Sequence, residues 1–268
     1  MKTDRTPKIG FGIRKIILAL VIPFIIVLIW LYATMYTSIP HGILPTIPEV
    51  GQTFVEMLKS GQMKEDILIS ISRVLKGYLI SAVLGIFFGS LIGMYQPVKE
   101  LLVPIITVIR QIPMIAWIPL IILWCGIGET SKVVIIVLVA FFQILVNTQS
   151  GIESTPKGYI EVAKLYKLSR WKTFTKVYLP HAVPQILVGL RLGLGGSWMA
   201  VVAAELIAAT SGIGYRMSSA RSNMQSDVVI VCMIVVGIVG VLMDKGIGVI
   251  FAALTPWRKV ENENRKEE

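Results

Sequence analysis

Gly77-Tyr78-Leu79-Ile80-Ser81-Ala82-Val83-Leu84-Gly85-Ile86-Phe87-Phe88-Gly89-Ser90-Leu91-Ile92-Gly93 carries no charge, and its small residues Gly77, Ser81, Gly85, Gly89 and Gly93 recur at every fourth position. The uncharged run continues to Val98. A hydrocarbon core about 30 Å thick is crossed by about 20 apolar residues in a helix. A four-residue period lays the small side chains along one face of that helix. Glycine inside a helix costs about 1 kcal/mol relative to alanine, so this stripe needs a compensating contact. Between membrane helices the compensation is close packing, because lipid tails do not drive helices together. Packing within the chain and a seam between two copies both supply it, the first being the plainer. Gly189 and Gly193 repeat the device later in the chain.

Composition points the same way. Of 268 residues, 54% are hydrophobic and 16% charged, where soluble domains have about 45–50% and about 25%. The mean hydropathy is +0.74, more apolar surface than one water-facing domain of this size can bury. These values exclude a disordered chain, a collagen, a disulfide scaffold and an ordinary cytosolic enzyme. Cys125 and Cys232 lie in apolar runs as small hydrophobes and imply no disulfide framework. His41 and His181 have no neighbouring Cys or carboxylate cluster, so no metal site, catalytic residue or cofactor is expected. Gly-Lys occurs nowhere, which removes the phosphate-cradling loop of nucleotide hydrolases. If this chain pumps, a partner drives it.

Six membrane helices are expected, at about 16–36, 68–95, 101–123, 132–152, 184–209 and 227–254. The first is too long for a signal peptide's apolar region of about 7–15 residues and lacks a cleavage pattern. Pro104, Pro113 and Pro119 interrupt the third, which also carries Arg110. Residues 16–257 form one transmembrane domain between charged tails at 1–15 and 258–268. Of the 26 Lys and Arg, sixteen fall on the two tails, the 95–100 turn and the 153–183 loop, against five on the opposite loops. The positive-inside rule therefore puts both termini in the cytoplasm. The net charge of +10 is topological, and nucleic acid is not needed to explain it. On the outer side, residues 42–59 have the spacing of a short amphipathic helix lying on the membrane surface.

The 153–183 loop holds a second short amphipathic helix. Thr155 is placed to cap it ahead of Pro156, with Ile160, Ala163, Leu165 and Leu168 as an apolar stripe opposite Lys157, Lys164 and Lys167. Glu161-Val162-Ala163, followed at fixed spacing by Val177-Tyr178-Leu179-Pro180, resembles the EAA loop of the permease subunits of bacterial ATP-binding cassette (ABC) importers. Lys167 stands where that motif has Gly, so either the helix continues to Leu168 or Lys167 takes a left-handed conformation. The segments Leu44–Val50, Ser70–Val74, Arg110–Pro113, Ile118–Leu120, Ala203–Glu205 and Ser211–Tyr215 are similar to the nitrate/sulfonate/taurine/bicarbonate subgroup. Relatives in the wider class carry thiamine-precursor pyrimidines or riboflavin.

The resemblance implies an all-α, MetI-like permease fold of six helices with a cytoplasmic coupling helix, in a bacterial inner membrane. It implies two permease chains (a homodimer), two ATP-binding cassette ATPase subunits and an extracytoplasmic binding protein, soluble or lipid-anchored. Glu161, Ala163, Lys167, Leu168, Leu179 and Pro180 are the residues expected to couple to the ATPase. The alternative is a surface helix on lipid headgroups, whose anionic members would suit Lys157, Lys164 and Lys167.

Polar groups inside membrane helices are costly and are the natural pathway candidates. Arg191, Trp198 and Glu205 lie seven apart on one face, Gln143 and Asn147 share another, and Arg110 and Gln111 precede the broken third span. An anion path would use Arg110 or Arg191 as counter-charge and open between the fourth and fifth helices. The alternatives are interfacial snorkelling for the arginines, pairing at the outer mouth for Glu205, and interhelical hydrogen bonding for Gln143 and Asn147. Trp117, Trp124 and Trp257 suit an interfacial belt, and Trp30 a lipid-facing position. A carrier driven by an ion gradient would need paired intramembrane carboxylates, but inside the spans, away from their ends, only Glu205 and Asp244 qualify, and they sit toward opposite sides.

Overall fold

The computed structural model describes residues 9–37, 39, 40 and 42–254. Within them every regular element is helical: α1 (Ile9–Tyr36), α2 (Ile47–Lys59), α3 (Gln62–Met94), α4 (Gln96–Gln111), α5 (Met114–Cys125), α6 (Glu129–Glu153), α7 (Lys157–Leu165), α8 (Arg170–Thr173), α9 (Leu179–Ala208), α10 (Ile213–Ser222) and α11 (Ser226–Leu254). Four rods are long and apolar enough to cross a bilayer: α3, α6, the continuous run Arg170–Ala208 and α11. The apolar stretch Leu20–Tyr36 of α1 is shorter. The C-terminal tail, Trp257 and residues 1–8 lie outside the described residues.

Two spans depart from expectation. The third is a pair of helices, α4 and α5, meeting at 99°. Of its three prolines only Pro113 breaks it. Ile112, just before Pro113, takes extended angles (φ −74°, ψ 121°) because the proline ring disfavours helical geometry in the preceding residue. Pro104 and Pro119 stay inside α4 and α5. The fifth span begins near Arg170, not near 184. Pro180 follows directly on a π-helical turn, Phe174–Tyr178, after which the Leu179 N–H donates to the Phe174 carbonyl, and Pro184 stays inside α9. A widened turn of this kind re-satisfies backbone groups that proline leaves unpaired.

α6 is the centre of the bundle. The small-residue face of α3 lies against one side of it. A Cβ on Gly77 would stand 2.6 Å from the Ile136 side chain, on Gly89 2.6 Å from the Leu145 carbonyl, and on Gly93 2.7 Å from the Ile152 side chain. Gly85 meets Ile144 in the same way, and Ser81 Oγ donates to the carbonyls of Gly77 (2.7 Å) and Val137 (3.1 Å). α9 closes on α6 from another side, with Gly189 against Asn147 and Gly193 against Ile144. Ile136, Ala140, Ile144 and Leu145 are consequently fully buried.

The segment expected on the outer side packs on protein as well. Thr46 and Glu49 form a reciprocal capping box on α2. Val50 and Met57 of α2 are buried in the core cluster, and Thr53 Oγ1 donates to Asp227 Oδ2 at the start of α11 (2.6 Å). α2 is therefore bound to the bundle and does not simply rest on lipid. Trp30 is likewise not lipid-facing: its Nε1 donates to the Pro45 carbonyl (2.9 Å).

Gly89→Ala should destabilise the protein by about 1–3 kcal/mol through overpacking. Gly195→Ala, whose new Cβ would have nothing within 4 Å, should be neutral or stabilising by up to about 1 kcal/mol. Thermal unfolding in detergent separates them, and equal melting temperatures would contradict the packing.

Candidate functional site

The bend at Pro113 leaves a cavity of about 420 Å³ between α4, α5 and α6. Its wall brings together Arg110, Trp117, Gln143 and Asn147 among apolar neighbours. The α6 part of the wall, residues 138–147, is the middle of a 25-residue helix, so the cavity lies near mid-depth. Irregular backbone at that depth is tolerated only against protein or a water-filled space. Asn147 Nδ2 donates to the Gln143 carbonyl (2.8 Å) and Asn147 Oδ1 accepts from Gln185 Nε2 of α9 (3.0 Å), which fixes its rotamer. Among the described residues Arg110 has no carboxylate partner and the Gln143 amide has no hydrogen-bond partner. The cavity thus offers one unneutralised cation beside a free amide. Gln111 is exposed at the bend and does not reach the wall, and Trp117 belongs to the cavity, not to an interfacial belt.

The other pathway candidates lie elsewhere. Arg191 forms a bidentate pair with Asp244 of α11, Nε–Oδ1 and Nη2–Oδ2 both 2.6 Å. Trp198 is 5% exposed and donates Nε1 to the Val236 carbonyl (3.0 Å). The shared face of α9 is therefore a seam with α11 over these two residues. The space expected between the fourth and fifth spans is filled by the α6–α9 contact at Gly189 and Gly193.

Glu205 is held in a buried cluster where the N-terminal parts of α3, α6 and α10 meet the C-terminal end of α9. Arg73 Nη1 pairs with Glu205 Oε1 (2.6 Å) and donates to the Ser211 carbonyl (2.8 Å). Arg73 Nη2 donates to Glu129 Oε1 (2.5 Å) and Ser211 Oγ (2.9 Å), and Nε to Glu129 Oε2 (2.8 Å). Ser70 Oγ donates to the Glu205 carboxylate (2.9 Å) and accepts from the Ile213 N–H (3.1 Å). The Gly214 N–H completes the shell on Glu205 Oε2 (3.0 Å). Gly212 stands at φ 103°, and any side chain there would collide with the Glu205 carboxylate. Arg73 and Ser70 were not singled out from sequence as partners of Glu205, nor Glu129 as the second carboxylate on Arg73. The available signal was two opposite charges, Arg73 and Glu205, in separate apolar spans.

The loop after α6 forms the expected short helix, with a different face outward. Ala163 is buried, Ile160 and Leu168 are half-buried, and Leu165 is 82% exposed. Tyr159, Val162 and Tyr166 are exposed beside Glu161. Leu165 thus belongs to the outward surface and Ala163 to the inward one. Thr155 does not cap the helix; its Oγ1 is buried without a hydrogen-bond partner. α7 stops at Leu165 and Lys167 adopts φ 50°. The Lys167 N–H donates to the Lys164 carbonyl and the Leu168 N–H to the Ala163 carbonyl, the paired bonds of a glycine-type helix stop. Lysine therefore makes the turn that glycine makes elsewhere, at some cost in strain. Leu179 is half-buried against Ile152, Ala182 and Ile186, and Pro180 is exposed.

Residues 81–259 match the family described as "Binding-protein-dependent transport system inner membrane component". A putative ABC transporter permease protein of Methanocaldococcus jannaschii is 37% identical over 92% of this chain and 94% of its own length. A putative aliphatic sulfonates transport permease protein of Bacillus subtilis is 36% identical over 89% of this chain and 87% of its own. A solved amino acid ABC transporter structure overlays with a TM-score of 0.62 at 17% identity, covering 74% of this chain and 96% of that one.

Substitutions in the cluster and in the loop probe these assignments. Arg73→Met should cost about 3–5 kcal/mol by leaving Glu205 buried and unpaired, and the double variant Arg73→Met/Glu205→Leu should recover much of it; a single variant that melts like the parent would contradict the cluster. Lys167→Gly should stabilise the loop by about 1 kcal/mol by removing left-handed strain, read as slower amide exchange of the Leu168 N–H.

Proposed function

Because the chain belongs to the family of binding-protein-dependent transport system inner membrane components, we propose that it forms the translocation path of an ABC importer for a small organic anion, an alkanesulfonate or taurine in the first instance. It is a multi-pass helical membrane protein and not itself an ATPase. The single observation that supports the anion is Arg110, uncompensated beside Gln143 at mid-depth. An isolated cation there is expensive and is stabilised when an oxyanion arrives. Arg191 is already neutralised by Asp244, which leaves Arg110 as the counter-charge. The sulfonate permease among the relatives supports the same substrate class.

The working unit in this reading is a homodimer with two ATPase subunits on the cytoplasmic side and a binding protein outside. α1 supplies the first of six spans, and both termini are cytoplasmic in the bacterial inner membrane. The outward surface of α7 (Tyr159, Val162, Leu165 and Tyr166 beside Glu161) enters the ATPase. Ile160, Ala163 and Leu168 hold α7 to its own chain. α7 is joined directly to α6 and, through the π-helical turn, to α9. Closure of the ATPases therefore pulls on the tightly packed α6–α9 pair and shifts it against the bent α4–α5 unit. The cavity wall is shared between those bodies, so its openings change with nucleotide state, a population shift that rests on different contacts in the two states.

Uptake of radiolabelled taurine and ethanesulfonate into vesicles tests the reading. Arg110→Ala should lower uptake by about tenfold or more, the worth of a charge-assisted contact, while the ATPase still co-purifies. Unchanged uptake with an intact complex would remove Arg110 from the path, and uptake of pyrimidines in place of sulfonates would overturn the anion.

A further inference from the structure

A second cavity, about 590 Å³, lies on the opposite side of α3 from the α6 contact, between the lower half of α3 and the start of the fifth span. Ala82, Val83, Ile86 and Phe87 line its deep end, Met94 and Tyr95 its other end, and Arg170, Trp171 and Phe174 its mouth. From Ala82 to Tyr95 the groove follows α3 for about 20 Å at 1.5 Å per residue. That is slightly more than one leaflet of a hydrocarbon core about 30 Å thick. Ser90 and Arg170 remain unused along it. Ser90 is 7% exposed, lines the cavity and has no hydrogen-bond partner for its Oγ. Arg170 has no carboxylate partner among the described residues, and Lys172 is exposed two residues on. Trp171 is 72% exposed beside them, as an interfacial anchor would be.

We infer that this groove binds an anionic phospholipid of the cytoplasmic leaflet, one acyl chain lying along α3 and the phosphate held by Arg170. An apolar slot one leaflet deep, with a free cation at the interface and an unsatisfied hydroxyl part-way down, matches an amphiphile with a charged head. A second protein helix would fill the slot but leave Arg170 and Ser90 unanswered. The inference rests on the cytoplasmic placement of the 153–183 loop proposed above. Trp171 and Phe174 lie between α7 and α9, so a bound lipid would brace the segment that carries force from the coupling helix into the fifth span.

The test uses the complete permease–ATPase complex, extracted mildly and offered phosphatidylglycerol or phosphatidylcholine, with bound lipid counted by native mass spectrometry. Phosphatidylglycerol should be retained in preference. Arg170→Ala should lower its retention by about fivefold, the worth of one basic residue at an anionic surface. Ala82→Phe, which fills the deep end, should lower retention of both lipids, and ATPase co-purification reports that each variant is folded. Equal retention of the two lipids by the parent, or retention unaffected by either variant, would overturn the inference. So would disulfide capture between cysteines placed at Val83 and on α1 of a second copy, since a protein helix would then occupy the groove. Thiol labelling of a Lys172→Cys variant from the outside of intact cells would instead overturn the loop's orientation, and with it the leaflet.

Discussion

The approach of two glycine-lined helices to one central helix is the constraint on which the molecule depends. α3 and α9 come so close to α6 that an added methyl group would meet side chains or carbonyls at under 3 Å at most of the facing glycines. In lipid, where apolar burial gives little preference for helix over lipid tail, such contact is the main source of cohesion. It also decides where space remains. With two sides of α6 sealed, a cavity forms on the side facing the bent α4–α5 pair, and the polar residues of α6 that reach it, Gln143 and Asn147, become the polar part of its wall.

The same packing sorts the intramembrane charges. Glu205 and Arg73 saturate each other, with Glu129, Ser70, Ser211 and the Gly214 N–H, at one end of the bundle. Arg191 and Asp244 neutralise each other between α9 and α11. Groups paired in this way cannot respond to a passing anion without first breaking strong contacts. Arg110 differs because the break at Pro113 ends α4 just beyond it, where no carboxylate reaches it among the described residues. A proline-induced bend thus creates both the space and the free charge.

Much of this was legible in the sequence, for physical reasons that can be named. The period-four stripe Gly77–Gly93 announced a packed membrane helix, because glycine is tolerated there only against a close neighbour. The helix at 157–165 was visible in its periodicity, and its end in the Lys167 anomaly. Its outward face follows from spacing too, against the expected stripe: Ala163 and Leu165 are two residues apart, so a helix points them about 200° apart, and the burial of Ala163 and the exposure of Leu165 reflect that. Prolines misled in one direction, as breaks expected and not made. Pro113 broke the third span while Pro104 did not, and Pro180 was absorbed into a longer helix because the preceding turn widened. Arg191 and Trp198 meet α11 while Glu205 meets α3 and α10, because helical spacing cannot say whether a face meets a pore or another helix.

The central claim is that nucleotide-driven motion of α7 reshapes the cavity between α4, α5 and α6. The most direct measurement is the alkylation rate of a Val146→Cys variant in a background lacking Cys125 and Cys232, in the assembled transporter with and without ATP. The expected result is a rate that changes with nucleotide and stops changing when Tyr166 on α7 is replaced by Asp. A rate indifferent to nucleotide in a complex that still hydrolyses ATP and imports its solute would contradict it.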